Sequence, residues 1–187
     1  MKVYHDLTPG APRAAVALGC FDGLHLGHRR VIDAARAPGL APSVLTFADP
    51  LEELGGKSGG QLVTKRQKLR LLEQMGVQQV YSLRFASIRT MSPEQFVDEV
   101  LVGVCHAKKV CCGFNFTFGY KGAGKAETLK ALCEERGIIC EIVPAVEVDG
   151  EPVSSTRIRA LVAQGDVAAA ERLLGRPFGF DFEIVRG

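Results

Sequence analysis

The sequence predicts an α/β domain with a mostly parallel sheet of about five strands and helices on both faces. Three observations carry that expectation. Short apolar runs recur with helical segments between them, and strands separated by helices pair in parallel through right-handed crossovers. The runs are mostly apolar on both faces, as strands covered from both sides must be. Several of the helical segments stop at a glycine (Gly76, Gly137, Gly165, Gly175), the residue that best accepts the left-handed turn after a helix.

The elements follow in order. Ala14–Leu18 and residues 43–47 are short apolar runs, and 77–83 is rich in β-branched and aromatic residues. Residues 110–112 and 138–143 complete the strands. A helix over 27–36 follows the first strand. Residues 64–75 carry Leu69, Leu72 and Met75 at helical spacing. Ser92-Pro93-Glu94-Gln95 offers an N-cap serine, a proline at the first helical position and a glutamine for a capping box. The helix it opens runs through Phe96 and Val100. Helices over 126–136, 154–164 and Val167–Leu174 close the series. The stretch 55–60, Gly-Gly-Lys-Ser-Gly-Gly, reads as a mobile loop. Gly175-Arg176-Pro177 breaks the last helix, and 178–185 then alternates like an edge strand, too late to join another βαβ unit. The expected division is therefore a domain over 1–175 and a junction with an opening strand over 176–187.

Composition narrows the class. Of 187 residues, 47% are apolar and 24% charged, which is globular and excludes a disordered chain, a collagen or a coiled-coil rod. Lys plus Arg is 23 and Asp plus Glu is 21, a net charge of +2 that does not by itself call for nucleic acid. No apolar run approaches the roughly 18 residues a membrane span needs, and Met1-Lys2-Val3-Tyr4-His5-Asp6 lacks the apolar core of a signal peptide. The expectation is a cytoplasmic protein with no membrane and no nucleic-acid partner. Six cysteines (Cys20, Cys105, Cys111, Cys112, Cys133, Cys140) form no C-x-x-C pair and read as small buried hydrophobes; a metal site is the lesser alternative, since His106 beside Cys105 does not make a tetrahedral set.

The sharpest chemical signal is Gly19-Cys20-Phe21-Asp22-Gly23-Leu24-His25-Leu26-Gly27-His28, between the first strand and the first helix. Ligands of open α/β sheets bind outside the carboxyl ends of strands. His25 and His28, three apart at a helix start, share a face. Gly19, Gly23 and Gly27 let backbone approach a ligand, and the helix N-terminus adds free N–H donors. Together these suit a phosphate. Alone, H-x-G-H would be a glycine-rich turn with two solvated histidines; the strand and the F-D-G before it favour the phosphate site.

A second signal is Val153-Ser154-Ser155-Thr156-Arg157-Ile158-Arg159. Ser154 or Ser155 can cap a helix, and Ser155, Thr156 and Arg159 share a face. Hydroxyls, free N–H groups and a guanidinium suit the outer phosphates of a nucleotide. On its own this is a plain N-cap with a surface arginine; the first motif tips the balance.

The pair resembles the HxGH nucleotidylyltransferase superfamily, whose members carry an early H-x-G-H and often a late S-S/T-T-x-I-R on a Rossmann-like fold. A third segment, Gly113-Phe114-Asn115-Phe116-Thr117-Phe118-Gly119-Tyr120-Lys121-Gly122-Ala123-Gly124, narrows the resemblance to prokaryotic FAD synthetases. These join an FMN adenylyltransferase module to a C-terminal riboflavin kinase module, and Leu173-Leu174-Gly175-Arg176-Pro177-Phe178 looks like the junction. Three motifs match in order and spacing across essentially the whole chain. The resemblance implies that FMN phosphate attacks the α-phosphorus of ATP, giving FAD and pyrophosphate. It implies His25, His28, Ser155, Thr156 and Arg159 as catalytic residues. Gly19, Phe21, Asp22, Gly23, Gly27, Asn115, Phe116, Phe118, Gly119 and Ser154 would bind ATP and FMN, with Mg²⁺ carried by the ATP phosphates and no dedicated metal ligands. Asn115 offers an amide donor and acceptor to a flavin, and Phe116 and Phe118 can wall a flat ring; the alternative is that the phenylalanines are core residues at strand spacing. Riboflavin kinase activity is not expected of these residues. Two positions depart from the family pattern: Cys20 stands where many members have Asn, and Phe47-Ala48-Asp49-Pro50-Leu51 lacks the histidine of a Phe-x-Pro-His-Pro-like segment. The alternatives are a nucleotidylyltransferase with another phosphorylated acceptor, of nicotinate or pantetheine type, and a non-catalytic flavin- or nucleotide-binding module.

Overall fold

The computed structural model describes residues 1–9, 13–48 and 60–179. Its centre is a six-stranded sheet in the order β1-β4-β3-β2-β5-β8, every neighbouring pair parallel. The strands are β1 (Lys2–Tyr4), β2 (Ala14–Leu18), β3 (Ala41–Phe47), β4 (Gln79–Leu83), β5 (Ala107–Gly113) and β8 (Ile139–Val143). Short antiparallel pairs join β6 (Thr117–Phe118) to β7 (Gly124–Lys125) and β9 (Glu147–Val148) to β10 (Glu151–Pro152). The five expected strands are present. The sixth, β1, has three residues and buries only Tyr4, too short for any periodicity to register.

β2 lies at the middle of the sheet and shows why its run is apolar throughout. Val16 and Leu18 face one layer and Ala15 and Ala17 the other. The first layer holds helix α4 (Ala126–Glu135) and the helix opened by α3 (Pro93–Gln95). The second holds α1 (Leu26–Ala34) and α2 (Lys65–Gln74), whose Val31, Ile32 and Leu72 close over the alanines. Cys111 and Cys112 of β5 divide between the layers in the same way. A third cluster seats α5 (Ser155–Ala163) and α6 (Val167–Leu174) through Ile158, Leu173 and Leu174 against Leu62 and Val153.

Local chemistry sets the helix ends. Thr64 accepts from Gln67 N, Ser154 from Arg157 N and Asp166 from Ala169 N as N-caps. Ser92 and Gln95 close the expected capping box. Beyond it the helix widens into π-helical turns over Phe96–Val104, with Cys105 N bonded five residues back to Val100 O at 2.8 Å. α6 stops at Gly175, whose φ of +64° is left-handed and whose Cα lies so near Leu26 that a Cβ would sit 2.6 Å from Leu26 Cδ2.

Four of the six cysteines are buried as expected. Cys140 is half-buried, and Cys20 is exposed because it sits past the end of β2, where the chain leaves the sheet; all six thiols are free. After α6 the chain stays on the domain: Arg176 Nη2 donates to Gly23 O at 2.8 Å, Phe178 N to Glu171 Oε1 at 3.0 Å and Gln67 Nε2 to Gly179 O at 2.8 Å. The expected edge strand over 178–185 and the glycine-rich loop over 55–60 lie almost wholly outside the described residues, as do Asp49, Pro50 and Leu51.

Candidate active site

β2 is flanked by β3 on one side and β5 on the other, so the loops leaving β2 and β5 diverge. That is the switch point at which α/β sheets open a crevice. A cavity of about 740 Å³ occupies it, walled by the loop after β2, the first turn of α1, the segment after β5 and the first turn of α5.

The loop after β2 holds three left-handed residues, Phe21 (φ +51°), Gly23 (φ +82°) and Leu24 (φ +44°). For the two non-glycines such a conformation costs on the order of 1–3 kcal/mol each and persists only where the surroundings impose it. The surroundings are explicit. Cys20 O accepts from Thr46 Oγ1 (2.9 Å) and Lys68 Nζ (3.0 Å). Asp22 accepts from Leu62 N at 2.9 Å, pairs with Arg159 Nη2 at 2.6 Å, and its carbonyl accepts from Ser155 Oγ at 2.8 Å. Two of the glycines make room for side chains of the loop itself: a Cβ at Gly19 would meet the Phe21 ring at 3.1 Å, and one at Gly27 the His25 ring at 3.2 Å.

His25 is the N-cap of α1, one residue before the helix, and its Nδ1 accepts from His28 N at 3.3 Å. A nitrogen that accepts carries no proton, so the neutral ring holds its proton on Nε2. The His25 and His28 rings stack 3.6 Å apart at 16°, rather than standing side by side on a helix face. Burial pulls the His25 imidazole down to about 4 and, with the neighbouring His25, pulls His28 well below its ordinary range. Both are neutral near pH 7. His28 Nδ1 is buried without a hydrogen-bond partner among the described residues.

Across the cavity, α5 begins. With Arg157 N bound by Ser154, the N–H groups of Ser155 and Thr156 have no partner within the helix. Neither α1 nor α5 has an acidic residue in its first turn. Two helix N-termini, each with a partial positive charge and neither neutralised, thus face one cavity.

The segment after β5 divides the phenylalanines. Phe118 is core, 5.4 Å from the Phe96 ring. Phe116 lies parallel to it at 5.8 Å and is half-buried on the cavity wall, while Asn115 is exposed there. Gly119 completes the wall at φ +74°, against Pro93.

The structure therefore brings Gly19, Phe21, His25, Gly27, His28, Asn115, Phe116, Phe118, Gly119, Ser154, Ser155 and Thr156 to one cavity. It does not bring Asp22, Gly23 or Arg159 to the wall. Arg159 donates to Gly60 O at 2.9 Å and pairs with Asp22, the Arg159 and Asp22 side chains being 14% and 6% exposed, so in this structure it straps the loop from behind the cavity wall. Lys68 and Thr46, which hold the loop, lie outside the motifs. Lys68 is one lysine on a basic helix, with nothing local to single it out; Thr46 is a buried hydroxyl in the apolar run of β3, next to its last residue, and that polarity is a local signal. Phe47 and Phe85, in edge contact at 5.4 Å, line the far end. Among the described residues no three His, Cys, Asp or Glu side chains are placed to hold a metal ion.

Comparison with known proteins agrees with this geometry. The FAD synthetase family model matches residues 8–157. The bifunctional riboflavin kinase/FMN adenylyltransferase of Bacillus subtilis (strain 168) is 31% identical over 192 residues, covering 98% of this chain and 60% of its own length. FAD synthetase 2, chloroplastic, of Arabidopsis thaliana is 37% identical over 183 residues, covering 86% and 49%. The chain thus spans from about half to three-fifths of the length of these relatives. The crystal structure of a macrolide-efflux protein from Streptococcus pneumoniae superposes with a TM-score of 0.82 at 28% identity, over 95% of this chain and 62% of that one; no helix of the described residues here is long and apolar enough to cross a membrane. A family model spanning well over half the chain, on a Rossmann-like α/β sheet with its motifs at the switch point, means that this protein belongs to the FAD synthetase family.

Proposed function

We propose that the chain is an FMN adenylyltransferase: it transfers AMP from MgATP to FMN, releasing FAD and pyrophosphate. The observation that carries this reading is the meeting of two unneutralised helix N-termini and a neutral histidine pair on one side of a cavity whose other side is the Asn115 loop. The names of the relatives above, FAD synthetase and FMN adenylyltransferase, support the choice of substrates.

In this reading an FMN phosphate oxygen forms a bond to the α-phosphorus as the bond to the bridging oxygen of pyrophosphate breaks. Such a displacement asks the protein for alignment and charge stabilisation, not for a covalent group. His25 donates from Nε2 to the phosphoryl oxygens, where a neutral imidazole is a dipole already aimed. His28, on the cavity wall and stacked on His25, supplies the second imidazole. The N–H groups of Ser155 and Thr156 bind the outer phosphates and so the departing pyrophosphate. Arg159 acts through Asp22 and Gly60, as a positioning residue for the loop. Mg²⁺ carried in on ATP would neutralise phosphate charge, and no side chain of this chain is assigned to hold it. Asn115 and Phe116 read the flavin. These residues carry adenylyl transfer alone; riboflavin kinase chemistry is not assigned to them.

The test is an acceptor panel. With MgATP, FMN should give FAD, read by loss of flavin fluorescence, while riboflavin, nicotinate mononucleotide and phosphopantetheine should give no adenylylated product. Turnover with one of the last two and not with FMN would reassign the acceptor, and FMN formed from riboflavin would require a kinase site in these residues.

A further inference from the structure

Three of the six thiols gather away from the cavity, in the layer beneath α4. Cys112 comes from β5, Cys133 from α4 and Cys140 from the edge strand β8, and all three pack in one cluster. The end of α4 explains the meeting of the last two. Ile138 N bonds back to Cys133 O at 2.9 Å and Gly137, at φ +67°, makes the left-handed turn, so the chain reverses beside Cys133 and starts β8 there. Ile138 points into the core, and two residues on Cys140 points the same way. Cys140 is half-buried on the open edge of the sheet, whereas Cys112 and Cys133 are fully covered.

We propose that Cys140 and Cys133 form a peroxide-reactive dithiol. The Cys140 sulfur attacks one oxygen of a hydroperoxide. The O–O bond breaks, Cys140 becomes a sulfenic acid, and the other oxygen leaves as alkoxide or hydroxide and takes up the thiol proton. The Cys133 sulfur then attacks the sulfenic sulfur, an S–S bond forms, and water leaves with the Cys133 proton. Two thiols are oxidised to one disulfide and one hydroperoxide is reduced to an alcohol, or to water when the peroxide is hydrogen peroxide.

The surroundings favour Cys140 as the attacking sulfur. Cys112 and Cys133 stand close enough to serve as S–H donors to it, and with Lys130 nearby they hold the Cys140 thiol below its ordinary value; the two donors are pushed up in return. Lys130 is one turn before Cys133 on the same helix face. Geometry selects the partner. Cys140 is in register with Val110, so Cys112 is two residues along the neighbouring strand. That offset separates the Cα atoms by about 8 Å, beyond the reach of a disulfide. Cys111 faces the opposite layer. Cys20 is the more exposed thiol, but lost solvation of its sulfur pushes it up.

The experiment treats the full chain with a slight excess of hydrogen peroxide, blocks remaining thiols with iodoacetamide and maps tryptic peptides by mass. Cleavage after Arg136 separates the two cysteines, so a disulfide appears as a linked peptide pair. The expected result is a Cys133–Cys140 link with Cys20 alkylated and an intact mass lowered by about 2 Da before alkylation. In Cys133→Ser the sulfenic acid has no resolving thiol and dimedone should label Cys140. Oxidation of Cys20 while Cys140 remains a free thiol, a Cys112–Cys140 link, or no dimedone adduct in Cys133→Ser would each overturn the proposal. The readout is mass alone and does not depend on adenylyl transfer.

Discussion

Arg159→Met removes a guanidinium and keeps most of the stem. In the folded protein Arg159 Nη2 lies 2.6 Å from Asp22 Oδ2, and the two side chains are 14% and 6% exposed. Water cannot replace the lost partner, so the substitution strands a buried carboxylate. Breaking a buried pair from one side costs about 3–5 kcal/mol. For a domain of this size each kcal/mol moves Tm by about 2–4 °C, so Tm should fall by about 6–20 °C. Asp22→Asn added to Arg159→Met should recover part of that loss, because an amide needs no counter-charge and its oxygen still accepts from Leu62 N. Arg159→Lys should fall between, since one ammonium does not reproduce the fork that spans Asp22 and Gly60 O. Thermal and urea unfolding followed by circular dichroism measure all four proteins. A loss under about 1 kcal/mol in Arg159→Met, the ordinary worth of a solvated surface pair, would refute the reasoning, as would a double variant no more stable than the single one.

Other expectations follow from the same contacts. Because burial holds His25 neutral down to about pH 4, the unfolded chain takes up a proton below about pH 6.5 that the folded chain refuses; stability should therefore fall from about pH 6.5 to about pH 4, by about 3 kcal/mol from His25 alone, in urea titrations across that range. A pH-independent midpoint there would place the ring in solvent. Gly27→Ala should leave Tm nearly unchanged, since alanine favours a helix, yet depress turnover by displacing the His25 ring, which would stand 3.2 Å from the new Cβ; unaltered kcat would remove His25 from its role. Asn115→Ala should not alter stability, the side chain being exposed, but should weaken FMN by about 1–3 kcal/mol in calorimetry with ATP affinity unchanged; equal losses for both ligands would make the loop structural.

Much of this was legible in the residues. A parallel sheet buried on both faces reads as apolar runs, and helices ending at glycine read as helices, so the layer order followed from pattern. The motifs were legible because glycine, histidine and hydroxyl residues at fixed spacing serve few other purposes. What stayed hidden was set by contacts distant in sequence. Arg159 meets Asp22 137 residues away, so its occupation could not be read from either motif alone. Lys68 reaches Cys20 O from a helix of many basic residues. His25 could be placed at the helix start, but only the backbone fixed it as the cap and stacked it on His28. The π-helical widening after Phe96 arises from hydrogen-bond register, which side-chain spacing does not record.

The most direct measurement is the fate of the α-phosphate. Incubating the chain with ATP labelled at the α-phosphorus, Mg²⁺ and FMN, then separating products by chromatography, should put the label in FAD with one pyrophosphate released per flavin adenylylated. The same assay with His28→Ala should run about 10²–10³-fold slower, the usual loss of one donor to a developing oxyanion. Label recovered only in ATP or free AMP, with FMN unchanged, would contradict adenylyl transfer to the flavin.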